Sequence, residues 1–281
     1  SSQRWGDYPG GITMKTTGLR QSFGRDGKRR KAAMHLIPNL FTTGNLLCGV
    51  YSMLSVFNAN YMVAAVAILV AMIFDVLDGK SARLTNSTSH FGLEYDSLSD
   101  VVSFGVAPGL LIYSWALSGQ GTFGVAVMFA YVAMGAVRLA RFNSVAAVSD
   151  GKYFTGLSIP AAAGVVASLV IFYHYSVRIG TEVKPLLVLI ITLTLSFLMV
   201  STIKYRSFKD MKFRGGQHIT YLVWGILVLM LVAAWPQVML FVIFAGYALL
   251  GPAERLVGLL SKMAGKRPSP KTEQSGIESK F

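Results

Sequence analysis

A single cysteine, Cys48, stands inside an apolar run, which excludes a disulfide framework and a cysteine-ligated zinc cluster and leaves a small buried hydrophobe. The four histidines, His35, His90, His174 and His218, have neither metal-ligand spacing nor a serine or cysteine partner, and no HExxH occurs. Charge is scarce as well: 14% of the 281 residues are charged, where a soluble domain carries about 25%. The stretch before residue 36 lacks the apolar core of a secretory signal peptide. The net charge of +13 raises the question of nucleic acid, but the basic residues do not form a reading surface. They fall in the gaps between apolar segments, so no nucleic-acid partner is expected.

What is present is apolar length. The chain is 53% hydrophobic with a mean hydropathy of +0.52, and its apolar stretches recur near the length of a membrane-crossing helix. Backbone groups in lipid must be hydrogen-bonded within their own segment, and these segments are too long and too continuous for barrel strands. The expected fold is therefore all-α, a polytopic membrane bundle of about eight transmembrane helices. The spans are placed at 36–57, 60–79, 95–117, 122–141, 157–178, 185–203, 218–235 and 236–260. Residues 1–35 read as a basic N-terminal segment, within which 24–35 suit a short surface helix, and 261–281 as a flexible tail.

The loops set the orientation. Of the 26 Lys and Arg residues, 24 fall on the side of the N-terminus, while the opposite side holds only Arg178 and Lys184. Positive loops stay in the cytoplasm, so an integral, multi-pass protein is expected with both termini and the loop at 80–95 on the cytoplasmic side.

That loop joins two acidic pairs. Asp75 and Asp78 are three residues apart at the end of the second span, and Asp96 and Asp100 four apart at the start of the third. Each pair shares a helix face. Four carboxylates gathered at one depth repel one another, and a divalent cation resolves the conflict. All-oxygen ligation suits Mg²⁺, Mn²⁺ or Ca²⁺. The plainer reading, interfacial acids paired with Lys80 and Arg83, explains two aspartates better than four. Gly79 and Ala82 leave one side of the helix end nearly bare, Arg83 offers a guanidinium, and Gly92 lets the incoming chain pass closely. Together these suit a pyrophosphate-linked nucleotide.

The pattern Asp75-x2-Asp78-Gly79-x2-Ala82-Arg83-x8-Gly92-x3-Asp96-x3-Asp100 resembles, without a departure, the signature of the CDP-alcohol phosphatidyltransferase family. The resemblance implies a six-helix family core, placed at 36–217, with an additional helix pair at 218–260. It implies an enzyme that displaces CMP from a CDP-linked lipid by means of an alcohol. Asp75, Asp78, Asp96 and also Asp100 would arrange one or two Mg²⁺ or Mn²⁺ ions, and Asp100 would be the general base. Asn39, Thr43, Asp75, Gly79, Ala82, Arg83 and Gly92 would bind the CDP-lipid, Gly79 and Ala82 lining the cytidine pocket. An asparagine such as Asn39 in an apolar helix also serves as interhelical glue. Direct displacement of CMP, with Asp100 taking the hydroxyl proton, needs fewer steps than a covalent aspartyl route.

The acceptor is suggested by further stretches: IPNLFTTGNLLCG (37–49), YDSLSDVVSFGVAP (95–108), VRLARFN (137–143), FTGLSIPAAAG (154–164) and STIKYRSFK (201–209). These are similar to the serine-accepting bacterial and archaeal branch of the family. That likeness implies CDP-diacylglycerol and L-serine as substrates, CMP as a product, a bacterial or archaeal cytoplasmic membrane and a homodimer. Ser103, Arg138, Arg141 and Asn143 become acceptor-binding candidates, one arginine taking the serine carboxylate. Arginines at a helix end also anchor by snorkelling. Lys204 and Arg206 are candidates for lipid phosphate, with topological anchoring as the other reading. Rival functions are the same chemistry on glycerol 3-phosphate or inositol phosphate, which calls for a denser basic cluster, a divalent-cation transporter, which calls for acids spread along a path, and a lipid-binding scaffold.

Overall fold

The computed structural model describes residues 19–84, 89–146, 154–176, 185–205, 230 and 234–263. The described residues form helices α1 (Leu19–Phe57), α2 (Tyr61–Leu84), α3 (His90–Asp100), α4 (Ala107–Ile112), α5 (Gly121–Ala146), α6 (Ile159–Ser176), α7 (Pro185–Val200) and α8 (Pro236–Met263). Two π-helical turns, Val101–Val106 and Tyr113–Leu117, flank α4 and make α3 to residue 117 one continuous coil. Two-residue strands, β1 (Phe154–Thr155) and β2 (Lys204–Tyr205), pair antiparallel and are the only departure from helix among the described elements. The chain is an all-α integral membrane protein.

Seven of the eight expected spans fall on these helices; 218–235 lies almost wholly outside the described residues. Among the described residues, four runs are long and apolar enough to cross a membrane: Pro38–Phe57, Tyr61–Leu84, His90–Ser144 and Pro236–Gly258. The third run, at 55 residues, folds back on itself. The Tyr131 hydroxyl donates to Phe104 O from 27 residues away, and Gly121, with φ of 55°, makes the reversal in a conformation glycine adopts without strain. Helix α7, at 16 residues, extends about 24 Å, less than a hydrocarbon core of about 30 Å. The helix expected over 24–35 forms, but as a continuation of α1 and not as a separate surface element.

Helices α1 and α2 share a long antiparallel seam built from small residues. Ala64, Ala65, Ala67 and Ala71 are buried, and the Ser52 hydroxyl donates to Ala64 O at 2.9 Å. Small side chains let two backbones approach in a lipid environment that supplies no hydrophobic drive between helices. The first π turn has a chemical cause. Pro108 has no N–H, so an α-helical bond to Phe104 O is impossible, and that carbonyl accepts the Tyr131 hydroxyl instead. The N–H of Ala107 reaches back five residues to Val102 O, the signature of the widened turn. The Tyr61 hydroxyl likewise donates to Ser114 O in the second π turn. Phe104, Leu111, Tyr131, Ile159 and Met199 fill the centre, each fully buried.

Strand pairing brings the expected stretches 154–164 and 201–209 together, Thr155 opposite Lys204. The Gly156 N–H donates to Ile203 O and the Leu157 N–H to Leu198 O, tying the entry of α6 to the end of α7.

Candidate active site

Helix α1 presents a polar stripe to α2 and α3. Thr42, Asn45, Gly49 and Ser52 are spaced by three or four residues, so they share one face, and all four are buried. The Thr42 hydroxyl lies 2.9 Å from Asp78 Oδ2 and 3.2 Å from Pro38 O. It has one proton, and the carboxylate at the shorter distance is the stronger acceptor. Asn45 Nδ2 donates to Asp100 Oδ1 at 3.1 Å. In return, Ser99 Oγ donates to Thr42 O and Ser103 Oγ to Asn45 O, so three bonds lock α3 and the first π turn onto α1, while the Thr42–Asp78 bond ties α1 to α2. Gly49 makes the approach possible: a Cβ there would overlap Ser103 Oγ and sit 2.8 Å from Ser103 Cα.

The two acidic pairs meet. Carboxylate oxygens of Asp75, Asp78 and Asp96 lie within 4.8 Å of one another, and the side chains of Asp78 and Asp96 are in hydrogen-bond contact. Two carboxyl groups stay in contact only with a proton or a cation between or beside them. Asp96 Oδ1 is buried with no hydrogen-bond partner among the described residues. Three convergent carboxylates, one with an orphaned oxygen, fit a hard divalent cation on the chemistry of the donors and on their mutual distance. Asp100 is not in this trio. It lies deeper, buried, with one oxygen occupied by Asn45 and with the other three aspartates in electrostatic range.

Beside the trio opens a pocket of about 470 Å³, counted to its open mouth, whose walls include Asn39, Asp78, Gly79, Ala82, Gly92 and Asp96. Four of these are the CDP-lipid candidates Asn39, Gly79, Ala82 and Gly92. The chain enters α3 through Ser89, whose Oγ accepts the N–H of Gly92 at 3.0 Å as an N-cap, which pins Gly92 at the pocket wall. Thr43 and Arg83 sit differently. The Thr43 hydroxyl is exposed, donates to Asn39 O and pairs with Tyr95 Oη at 3.0 Å. Arg83 is exposed with its Nε donating to Gly79 O at 2.8 Å, which folds the guanidinium back along α2 at the edge of the pocket.

The acceptor candidates divide. Ser103 spends its proton on Asn45 O, Arg141 donates to Val200 O at 3.1 Å, and Asn143 Nδ2 donates to Ser97 Oγ at 2.9 Å. Arg138 is different. It is 9% exposed, its Nε is buried without a partner among the described residues, and it lies in electrostatic range of Asp100. The Phe142 ring backs its guanidinium at 5.7 Å. Lys204 lies on β2, with nothing described of its side chain, and Arg206 lies outside the described residues.

Sequence reasoning missed Thr42, Asn45 and Ser99. The signal was the three-and-four spacing of polar residues from Thr42 to Ser52 within an otherwise apolar helix, which marks a buried face.

Known proteins resemble this chain over the region that builds the site. A relative from Helicobacter pylori, named CDP-diacylglycerol–serine O-phosphatidyltransferase, is 42% identical over 182 residues, 64% of this chain and 75% of the relative. One of the same name from Bacillus subtilis is 35% identical over 176 residues, 63% of this chain and 93% of the relative. An archaetidylserine synthase from Methanothermobacter thermautotrophicus is 38% identical over 171 residues, 60% of this chain and 69% of the relative. The family model for CDP-alcohol phosphatidyltransferases matches residues 35–200, the segment that carries α1 from its polar stripe onward, both acidic pairs and the pocket between them. With its aspartates, its pocket and its sequence in agreement, the chain belongs to the CDP-alcohol phosphatidyltransferase family.

Proposed function

We propose that this protein transfers the phosphatidyl group of CDP-diacylglycerol to the hydroxyl of L-serine, releasing CMP and phosphatidylserine. The observation that carries the reading is the convergence of Asp75, Asp78 and Asp96 beside a pocket lined by Asn39, Gly79, Ala82 and Gly92, with Asp100 set apart behind them. The names of the relatives supply the acceptor.

Asp75, Asp78 and Asp96 are the residues that would hold one or two divalent cations, Mg²⁺ or Mn²⁺. Such an ion, when bound, neutralises the diphosphate and improves CMP as a leaving group. Thr42 orients Asp78 by its hydrogen bond. Gly79 and Ala82 offer the cytidine a wall without bulky side chains, and Arg83 stands at the pocket edge for phosphate oxygens. Thr43 contributes through Tyr95, which it braces at the same helix junction.

Asp100 is the general base. Asn45 engages its Oδ1, which leaves Oδ2 to take the proton of the serine hydroxyl as that oxygen attacks phosphorus. The new P–O bond forms as the bond from phosphorus to the CMP phosphate oxygen breaks, and the proton rests on Asp100. Keeping the base out of the cation-binding trio preserves its basicity, because a carboxylate committed to a cation is a weak base. Arg138 receives the serine carboxylate; its unpartnered Nε supports this. Ser103, Arg141 and Asn143 act at one remove, holding Asn45, the end of α7 and Ser97 in place. Lys204 and Arg206 would bind lipid phosphate.

The distribution of 24 of 26 basic residues supports a cytoplasmic active site with both termini on that side of a bacterial or archaeal cytoplasmic membrane. A homodimer belongs to the same reading. The chain is divided as 1–35, a basic segment, 36–217, the catalytic core, 218–260, an added helix pair, and 261–281, a tail.

The deciding experiment offers purified protein CDP-diacylglycerol with L-serine, glycerol 3-phosphate or inositol phosphate and identifies the lipid product by mass spectrometry. Phosphatidylserine is expected. CMP released only with a phosphorylated acceptor rejects the assignment, and cation flux in liposomes with no CMP released under any acceptor favours a transporter.

A further inference from the structure

We infer that Asn45 is the acceptor-selecting residue of the site, its Oδ1 receiving the ammonium group of serine; the inference rests on the serine reading above. Asn45 is fully buried, and its amide is committed at one end only. Nδ2 donates to Asp100 Oδ1 at 3.1 Å, which fixes the amide's orientation, since the opposite flip would set a carbonyl against a carboxylate. Oδ1 is then a buried acceptor with no donor among the described residues.

Among the described residues, the hydroxyls of the α1–α3 junction are committed elsewhere. The protons of Ser103, Ser99 and Thr42 go to Asn45 O, Thr42 O and Asp78 Oδ2. The group that satisfies Oδ1 must therefore bring its own N–H or O–H. The second orphan near Asp100 has the opposite character: Arg138 Nε, a donor, also buried and in electrostatic range of the same carboxylate. A base flanked by one unpaired acceptor and one unpaired cationic donor matches a zwitterion carrying a hydroxyl. Serine has its hydroxyl and ammonium on adjacent carbons, and one amide holds Asp100 by Nδ2 and leaves Oδ1, on the same carbon, without a donor.

The arrangement also explains selection. A buried acceptor left unpaired by the wrong ligand penalises that ligand more than a missing apolar contact does. Glycerol 3-phosphate and inositol phosphate offer no ammonium here, and their phosphates would face a carbonyl oxygen beside a carboxylate. Asn45 is thus a filter against anionic polyols as well as a grip on an amino acid.

The test compares L-serine with 3-hydroxypropionate, which keeps the hydroxyl and carboxylate but lacks the ammonium. Both are assayed in wild type, Asn45→Ala and Asn45→Ser, with CDP-diacylglycerol KM and thermal midpoint recorded as checks of integrity. Wild type is expected to prefer serine in kcat/KM by on the order of 100-fold. The preference should fall at least tenfold in Asn45→Ala, mainly through the KM for serine, and be partly restored in Asn45→Ser. A wild-type ratio near one overturns the inference, and this holds even if neither variant folds. Parallel loss on both acceptors, with the ratio intact, overturns it too and leaves Asn45 as a positioning residue for Asp100. Wild-type protein that makes no phosphatidylserine but does release CMP to another alcohol overturns the serine reading itself.

Discussion

The Thr42 hydroxyl bridges helices α1 and α2 by donating to Asp78 Oδ2 across 2.9 Å. One residue on, Thr43 points away and meets Tyr95. Adjacent residues on a helix diverge by about 100°, so of two consecutive threonines one serves the acidic site and the other the α1–α3 surface. Thr42→Val keeps the shape and removes the hydrogen bond. A bond to a charged group contributes about 1.5–3 kcal/mol, so the apparent affinity for activating Mn²⁺ should fall about tenfold or more. Thr42→Ser should retain it. A Mn²⁺ titration of CMP release measures both; an unchanged midpoint in Thr42→Val would mean that the hydroxyl does not orient Asp78.

Asp100 stands outside the trio that gathers within 4.8 Å, bound instead to Asn45. Asp100→Asn should lower kcat by about 10²–10⁴, the usual contribution of a general base, with CDP-diacylglycerol binding retained. Steady-state kinetics together with equilibrium binding of the CDP-lipid test this. Turnover within a few-fold of wild type would remove Asp100 from the base role.

Arg138 carries an orphaned Nε beside the base, and the guanidinium is suited to a carboxylate in a way that an ammonium is not. Arg138→Lys should raise the serine KM at least tenfold and Arg138→Ala more. Discrimination against ethanolamine, which lacks the carboxylate, should weaken in both. Equal loss on serine and ethanolamine would show that Arg138 acts through Asp100 and not on the acceptor.

Gly49 faces Ser103 so closely that a Cβ would meet main chain at 2.8 Å. Gly49→Ala must push the π turn away from α1, at a cost of about 1–3 kcal/mol, and should strain the Ser103 and Asn45 bonds with it. The expected result is a lower thermal midpoint in detergent and reduced turnover. A variant as stable as wild type would show that the two backbones have room to part.

Much of this architecture was legible in advance. Lipid forces apolar runs into helices, so α1, α2 and α5–α8 appear near their expected places, and the acidic pairs declare themselves by three- and four-residue spacing. What escaped depends on tertiary contact. Choosing Thr42 over Thr43 requires knowing which face of α1 meets α2. Asn45 looks like an ordinary polar residue until its amide is seen on Asp100. The first π turn follows from Pro108 only once Tyr131 is known to take up Phe104 O. Ser103, Arg141 and Asn143 stand near the site, but they donate hydrogen bonds to Asn45 O, Val200 O and Ser97 Oγ, a distinction that residue type and proximity in sequence do not reveal.

The central claim is that Asp75, Asp78 and Asp96 form a divalent cation site while Asp100 does not anchor it. Mn²⁺ binding to purified protein, followed by electron paramagnetic resonance, tests this without relying on turnover. The account predicts saturable binding by wild type and Asp100→Asn, and binding weakened by at least tenfold in Asp78→Asn and Asp96→Asn. Equal Mn²⁺ binding by all four proteins, or none by wild type, would contradict it.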